Sequence, residues 1–305
     1  MTLRTALVFP GQGSQRAGML ADVPENDDLG RLLDAAEALT DLELRVYAAM
    51  GPDEELADTR VAQPLLYLAD WAWGRALLDS GLKPFAVAGH SLGELAALAI
   101  AGVFSVEAGL ELVVERSKLM AATAAGTPGS MAAVLGLDAA SVAAAIDGID
   151  GVWTANDNAV GQIVISGTVL GVERAGDALS EAGAKRVVPL KVSGPFHSPL
   201  MEPAAAAFAE ILSGADFRDA RIPVLSNTDP SPATDAESIK SRLMAQITSP
   251  VRWTETMAAL AADGPVRVVE AGPGSVLTGL AKRIDGVQAV SVEAIGIEAV
   301  MGEVS

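Results

Sequence analysis

Gly89-His90-Ser91-Leu92-Gly93 fits the pattern G-x-S-x-G, and His90 and His197 are the only two imidazoles in the chain. A serine on a sharp strand-to-helix turn can serve as a nucleophile in acyl transfer. The flanking positions must be glycine there, because side chains would strike the neighbouring strand and helix backbone. The same turn aims the backbone N–H of Leu92, at the start of a helix, toward a developing oxyanion. The bland reading of the pattern is a tight strand–helix turn with no chemistry. A serine nucleophile also needs a base. His90 adjoins Ser91, and neighbouring side chains on a sharp turn diverge, so it reads as a packing residue. His197 lies in the Gly/Pro-rich loop Gly194-Pro195-Phe196-His197-Ser198-Pro199, where loops line clefts, and is the candidate base. Two further features stay open on residue types alone. The loop Gly11-Gln12-Gly13-Ser14-Gln15 could bind a dinucleotide, but Arg16 stands where a third glycine belongs. It could instead donate a backbone N–H to an oxyanion. Arg116, among Leu110, Leu112, Val113, Val114 and Leu119, is either a snorkelling surface cation or an internal one awaiting a carboxylate.

The elements that must position these residues alternate strand and helix. Thr5–Pro10 reads as a short buried strand, and the loop after it is expected to lead into a helix. Asp28–Ala49 carries helical periodicity through Leu29, Leu32, Leu33, Ala36 and Leu39. Ala62–Ser80 is helical, with Gly81 as its stop. Phe85–Gly89 is a strand, Leu92–Ala101 a helix and Val106–Ala125 a longer one. This alternation predicts an α/β fold with a mainly parallel sheet. The texture changes after Gly126. Strand Ser130–Leu137, helix Asp138–Asp147, strands Val152–Asn156 and Gln162–Ser166, helix Val169–Ala182 and strand Lys185–Val192 form a ferredoxin-like β-α-β-β-α-β order. Residues 127–192 are therefore expected as a small inserted domain, with 1–126 and 193–305 as the large catalytic one. In the return segment, Ala204–Leu212, Asp235–Ile247, Val251–Ala262 and Ser275–Arg283 read as helices, and Ile222–Ser226 and Val266–Glu270 as strands.

Composition removes several function classes. Half of the 305 residues are hydrophobic and a fifth are charged, which supports a substantial core and excludes intrinsic disorder. With no cysteine, disulfides, thiol nucleophiles and thiolate metal sites are out. Two histidines argue against a His-rich metal site. A net charge of −18 without a basic run argues against nucleic acid. The apolar stretch Ala6–Pro10 is too short for a signal peptide core, and Leu95–Phe104 is too short to span a bilayer. The expectation is a soluble, cytoplasmic protein with no membrane contact.

Taken together, these residues resemble the malonyl-CoA:acyl-carrier-protein transacylases and the related acyltransferase domains of polyketide synthases. The resemblance runs in order through Phe9-Pro-Gly-Gln-Gly-Ser-Gln15, Gln63-Pro64, Gly89-His-Ser-Leu-Gly-Glu94 and Arg116-Ser-Lys-Leu-Met120. It continues through Gly161-Gln-Ile-Val-Ile-Ser-Gly167, Pro195-Phe-His-Ser-Pro199, Ser249-Pro-Val-Arg-Trp253 and Glu270-Ala-Gly-Pro-Gly274. It implies a hydrolase-like core with a ferredoxin-like insertion. It implies Ser91 as nucleophile, His197 as base, the N–H groups of Gln12 and Leu92 as oxyanion hole, and Arg116 as the malonyl-carboxylate clamp. Gln246 falls where the family uses a backbone carbonyl to orient the histidine, giving a Ser–His dyad. Leu92 and Phe196 resemble malonyl-selective members. The resemblance further implies malonyl-CoA as substrate, no bound cofactor or metal, holo acyl carrier protein as partner, and a monomer. An acidic carrier would need a local basic patch, for which Lys185, Arg186, Lys191, Lys282 and Arg283 are candidates. A thioesterase with the same serine and histidine, a binding-only subunit, and a transacylase serving polyketide synthesis or malonate decarboxylase are the competing readings.

Overall fold

The computed structural model describes residues 3–24 and 27–304. The chain opens with β1 (Arg4–Phe9), whose residues after Arg4 are all buried. Helices α1 (Asp27–Thr40), α2 (Leu44–Met50), α3 (Asp53–Ala57) and α4 (Thr59–Asp79) follow, then β2 (Ala86–Gly89), α5 (Gly93–Ala101) and α6 (Val106–Gly126). The periodic stretch Asp28–Ala49 is two helices, not one. Asp41 adopts a positive φ of 56° and turns the chain, a conformation a short polar side chain tolerates. The loop after β1 does not lead directly into a helix either. It closes on itself through Ser14 N–H and Oγ–H donating to Gly11 O at 3.3 and 2.8 Å, and irregular turns follow.

The second segment runs β3 (Ser130–Leu135), α7 (Ala139–Ile146), β4 (Val152–Ala159), β5 (Gln162–Gly167), α8 (Val169–Glu181) and β6 (Arg186–Pro189). Asp138 caps α7 by accepting from Ser141 N–H, as its position predicts. The strand expected over Lys185–Val192 is shorter at both ends. The return segment holds α9 (Glu202–Gly214), β7 (Val224–Leu225), α10 (Ala236–Ala245), β8 (Val251–Arg252), α11 (Trp253–Leu260), β9 (Val266–Glu270), α12 (Val276–Ala281), β10 (Val287–Ser291), α13 (Val292–Ile295) and α14 (Ile297–Val304).

Two five-stranded sheets result, an α/β arrangement. The first has the order β10-β9-β1-β2-β7, and every neighbouring pair is parallel. The register pairs Phe9 with Gly89 and Val8 with Glu270, so the loops after β1, β2 and β9 leave the sheet side by side. That carboxyl edge is where open parallel sheets carry their sites. The second sheet has the order β6-β3-β5-β4-β8; its first three pairs are antiparallel. Its fifth strand is a difference from the sequence reading. Val251 and Arg252, expected to start a helix, pair parallel with Asn156 and Asp157 and so extend this sheet from the return segment.

One face of the second sheet packs Ala132, Val134, Ile163 and Ile165 against Val142, Ile146, Val172 and Leu179 of α7 and α8. The other face sends Met131, Ala155 and Val164 into the main core around α4, α5 and α6. Period-two alternation thus binds the sheet to its own helices and to the rest of the molecule at once. Among the described residues no helix is long and apolar enough to cross a membrane.

Candidate active site

Ser91 sits on the turn between β2 and α5 with φ 51°, in the left-handed region that a non-glycine residue occupies only under constraint. The two glycines of the motif are sterically required. A Cβ on Gly89 would fall 1.9 Å from the carbonyl carbon of Gly93, and one on Gly93 would fall 2.1 Å from Phe9 O. Asn227, just beyond β7, pins the turn. Ser91 N–H donates to Asn227 Oδ1 at 2.7 Å, and Asn227 Nδ2–H donates to Gly89 O at 2.6 Å. Asn227 N–H in turn donates to Oε2 of the buried Glu94 at 3.1 Å. The sequence reading missed Asn227. The available signal was its place after a strand parallel to β2, on the same sheet edge.

Ser91 Oγ and His197 Nε2 are 2.8 Å apart. The tautomer follows from the far side of the ring: His197 Nδ1–H faces two carbonyls, Gln246 O at 3.1 Å and Ser249 O at 3.2 Å. Both only accept, so Nδ1 carries the proton and Nε2 is free to accept from the serine hydroxyl. Burial pushes the His197 imidazole down to about 3, and the nearby charge of Arg116 acts in the same direction. The ring is therefore neutral at physiological pH. The carbonyls of Gln246 and Ser249 thus lie together against the far nitrogen of the ring. His90 is turned elsewhere: Nε2 pairs with Asn158 Oδ1 at 2.8 Å, and the ring meets Trp253 edge-on at 5.5 Å.

Arg116 is 1% exposed, which removes the snorkelling alternative. Its Nη1–H donates to Gln63 Oε1 at 2.8 Å, and its Nη2–H to Gln246 Oε1 at 2.9 Å and Ser91 Oγ at 3.3 Å. Its Nε has no acceptor, and among the described residues no carboxylate lies within ion-pair distance. Burial lowers its pKa to about 10, so it remains a cation, held by neutral amides.

A cavity of about 160 Å³ is lined by Ser91, His197, Arg116, Gln63, Gln12, Leu92, Asn156, Asn158, Met120, Met131 and Phe196, among others. Every site residue named from the sequence lines it except Gln246, which backs Arg116 and His197. Neither the Gln12 nor the Leu92 N–H donates to a protein acceptor among the described residues, so both remain available to an oxyanion. The Gln12 side chain is tied to Ala57 O at 3.2 Å. A groove of about 890 Å³ meets this cavity at Val192 and carries Arg60, Lys118 and Lys191. Lys185, Arg186, Lys191, Lys282 and Arg283 are all exposed.

The arrangement can form an acyl-serine and hold an anionic group beside it. Residues 6–302 match the family model of the acyl transferase domain. A malonyl CoA-acyl carrier protein transacylase of Synechocystis sp. is 44% identical over 281 residues, covering 92% of this chain and 94% of that one. The crystal structure of a Synechocystis sp. malonyl-CoA:ACP transacylase superposes with TM-score 0.89 at 41% identity, over 97% of this chain and 100% of that one. A malonyl-transacylase in complex with its type II PKS acyl-carrier protein gives TM-score 0.90 at 40% identity, over 97% and 99%. The chain belongs to the acyl transferase domain family, and within it to the malonyl CoA-acyl carrier protein transacylases.

Proposed function

We propose that this chain transfers a malonyl group from malonyl-CoA to the phosphopantetheine thiol of holo acyl carrier protein, supplying fatty-acid or polyketide synthesis. The observation that carries the reading is Arg116: a buried guanidinium 3.3 Å from Ser91 Oγ, with no carboxylate of its own. Such a cation favours an acyl group that brings a carboxylate, and leaves an acetyl group beside an uncompensated charge.

The reaction is a two-step exchange. Ser91 Oγ attacks the thioester carbon while its proton passes to His197 Nε2. The N–H groups of Gln12 and Leu92 hold the tetrahedral oxyanion, each typically worth about 3 kcal/mol. The C–S bond breaks, and the CoA sulfur leaves with the proton from His197. The malonyl ester of Ser91 then rests with its carboxylate on Arg116. The carrier thiol enters, gives its proton to His197, attacks the ester carbon and returns Ser91 Oγ with its proton. Gln246 O and Ser249 O keep the imidazole facing the serine throughout. The reading calls for no bound cofactor or metal, because Ser91 and His197 supply nucleophile and base.

Several finer points belong to the same proposal. The parallel sheet with its elbow is a hydrolase-like core, and residues 127–192 are a ferredoxin-like insertion supported by the order β6-β3-β5-β4. Residues 1–126 and 193–305 form the catalytic domain, with β8 reaching over to the small sheet. The groove bearing Arg60, Lys118 and Lys191 suits the phosphates of the donor, and the exposed Lys185, Arg186, Lys282 and Arg283 suit an acidic carrier. The enzyme works as a cytoplasmic monomer. The test is intact-mass spectrometry after brief exposure to malonyl-CoA, with Ser91→Ala as control. A single malonyl adduct, absent in the variant and discharged by holo carrier, supports the transferase. An adduct discharged by water alone refutes it in favour of a thioesterase.

A further inference from the structure

The amide of Gln246 is interposed between two buried ionisable groups. Its Oε1 accepts from Arg116 Nη2–H at 2.9 Å, while its Nε2–H donates to Glu94 Oε2 at 2.7 Å and to Ser91 O at 3.0 Å. Residue 246 is 1% exposed, Glu94 is 0% exposed, and both are packed under the elbow. The amide cannot be reversed: the flipped form would set an NH₂ against the guanidinium and an oxygen against the Glu94 carboxyl and the Ser91 carbonyl. Gln63 Oε1 holds the other end of Arg116 at 2.8 Å. The cation is thus fixed by two neutral acceptors. The nearest carboxyl in this network, Glu94, is kept one amide away from it.

We propose that the Gln246 side chain determines acyl-group specificity, by orienting Arg116 without neutralising it and by holding Glu94 off the guanidinium. This deepens the malonyl-transfer reading and rests on it. A carboxylate paired directly with Arg116 would occupy the guanidinium face that a substrate carboxylate needs. An amide oxygen gives the same anchorage and leaves the guanidinium without a direct ion-pair partner, the charge of Glu94 acting on it only across the amide, so a direct pairing is made only when the acyl group supplies the anion. Gln246 is a positioning residue in this role: it acts through Arg116, while its backbone carbonyl separately serves His197.

The readout is the ratio of kcat/KM for malonyl-CoA to that for acetyl-CoA, with the thermal midpoint of each protein recorded. Gln246→Glu keeps length, backbone carbonyl and an acceptor on Arg116, but sets a second carboxyl against Glu94, so the pair shares one proton and its negative charge lies directly beside the guanidinium. It is expected to lower the malonyl-to-acetyl ratio about 10- to 100-fold, chiefly through loss of malonyl transfer. Gln63→Glu applies the same change at the other end of the guanidinium, away from Glu94, and guards against a folding failure at 246. Gln246→Met removes all three amide contacts and is expected to lower the ratio less. A residue that merely supports the fold would depress both acyl groups in parallel. Parallel losses in the two Glu variants, or an unchanged ratio, would overturn the proposal. A wild-type protein that shows no preference for malonyl-CoA and forms no malonyl-serine would instead overturn the transferase reading, and the specificity proposal with it.

Discussion

Replacing Asn227 by alanine should uncouple the fold from the chemistry of the elbow. The side chain makes two hydrogen bonds to the turn, from Ser91 N–H at 2.7 Å and to Gly89 O at 2.6 Å. Both turn groups would be left without those partners in a 1%-exposed environment. A buried polar group stripped of its partner costs about 1–2 kcal/mol, so the pair should cost about 2–4 kcal/mol of stability. For a chain of this length that corresponds to a fall in melting temperature of roughly 3–6 °C. The kinetic effect should be larger than the folded fraction explains. Ser91 is held at φ 51°, and relaxing it moves Oγ off the 2.8 Å line to His197 Nε2. A displacement on the order of 1 Å at a reacting atom can cost about 100-fold in rate. Asn227→Asp is the companion variant. It keeps the acceptor for Ser91 N–H, loses the donor to Gly89 O, and brings a second carboxyl near Glu94. Stopped-time mass spectrometry of Ser91 malonylation, below the melting range of every variant, measures the acylation rate directly. Destabilisation of Asn227→Ala with acylation at the wild-type rate would refute the reasoning, because the glycines alone would then set the elbow.

Three further outcomes follow from the same geometry. Arg116→Ala should lose malonyl transfer far more than acetyl transfer, read as Ser91 adduct formed from each CoA ester; equal losses would refute the carboxylate clamp. His197 must be neutral to act, and its imidazole is pushed down to about 3, while Arg116 must be charged and deprotonates only near about 10. A kcat/KM profile for malonyl-CoA should therefore be level between pH 5 and pH 9, about where an ordinary histidine near 6.5 would produce a limb. Asp70 is fully buried, both its oxygens lack a hydrogen-bond partner, and burial with the charge of Glu270 drives its pKa well above the carboxylate range. The folded state then binds a proton that the unfolded chain has released, so stability falls as pH rises above the unfolded value near 4. Asp70→Asn removes that dependence. Its melting temperature relative to wild type should rise between pH 5 and pH 8, and a constant difference would refute a protonated Asp70.

The elements around the site were legible because their patterns are local. The buried run of β1, the glycines of the elbow and the Asp138 cap each follow from a few consecutive residues. Where long-range contacts decide, the reading failed. Val251 and Arg252 have helix-compatible neighbours, yet they form a strand because Asn156 and Asp157 offer an open edge. Asp41 breaks a periodic stretch that is apolar on one face throughout. At the site, Ser91 and His197 could be named from the elbow and from the scarcity of histidine. Arg116 could not be placed from spacing, since its helix is buried on more than one side. Asn227 was signalled only by its place after a strand, and the contacts of Ser249 and of the Gln246 side chain had no local signal. Each acts through a contact 52 or more residues distant in sequence.

Placing a buried cation beside a catalytic base carries a cost that the site turns to selectivity. Arg116 lowers the affinity of His197 for protons, on top of the larger effect of burial. Forming the imidazolium during attack is correspondingly harder while the guanidinium stands alone. A malonyl carboxylate on Arg116 cancels that repulsion, and an acetyl group does not. On the proposed malonyl-transfer reading, the clamp therefore acts twice, once in holding the malonyl group and once in easing proton transfer to His197. Both effects need an Arg116 that is uncompensated before substrate arrives. On the proposed reading, this accounts for the neutral amides of Gln63 and Gln246, which hold the guanidinium without forming an ion pair with it.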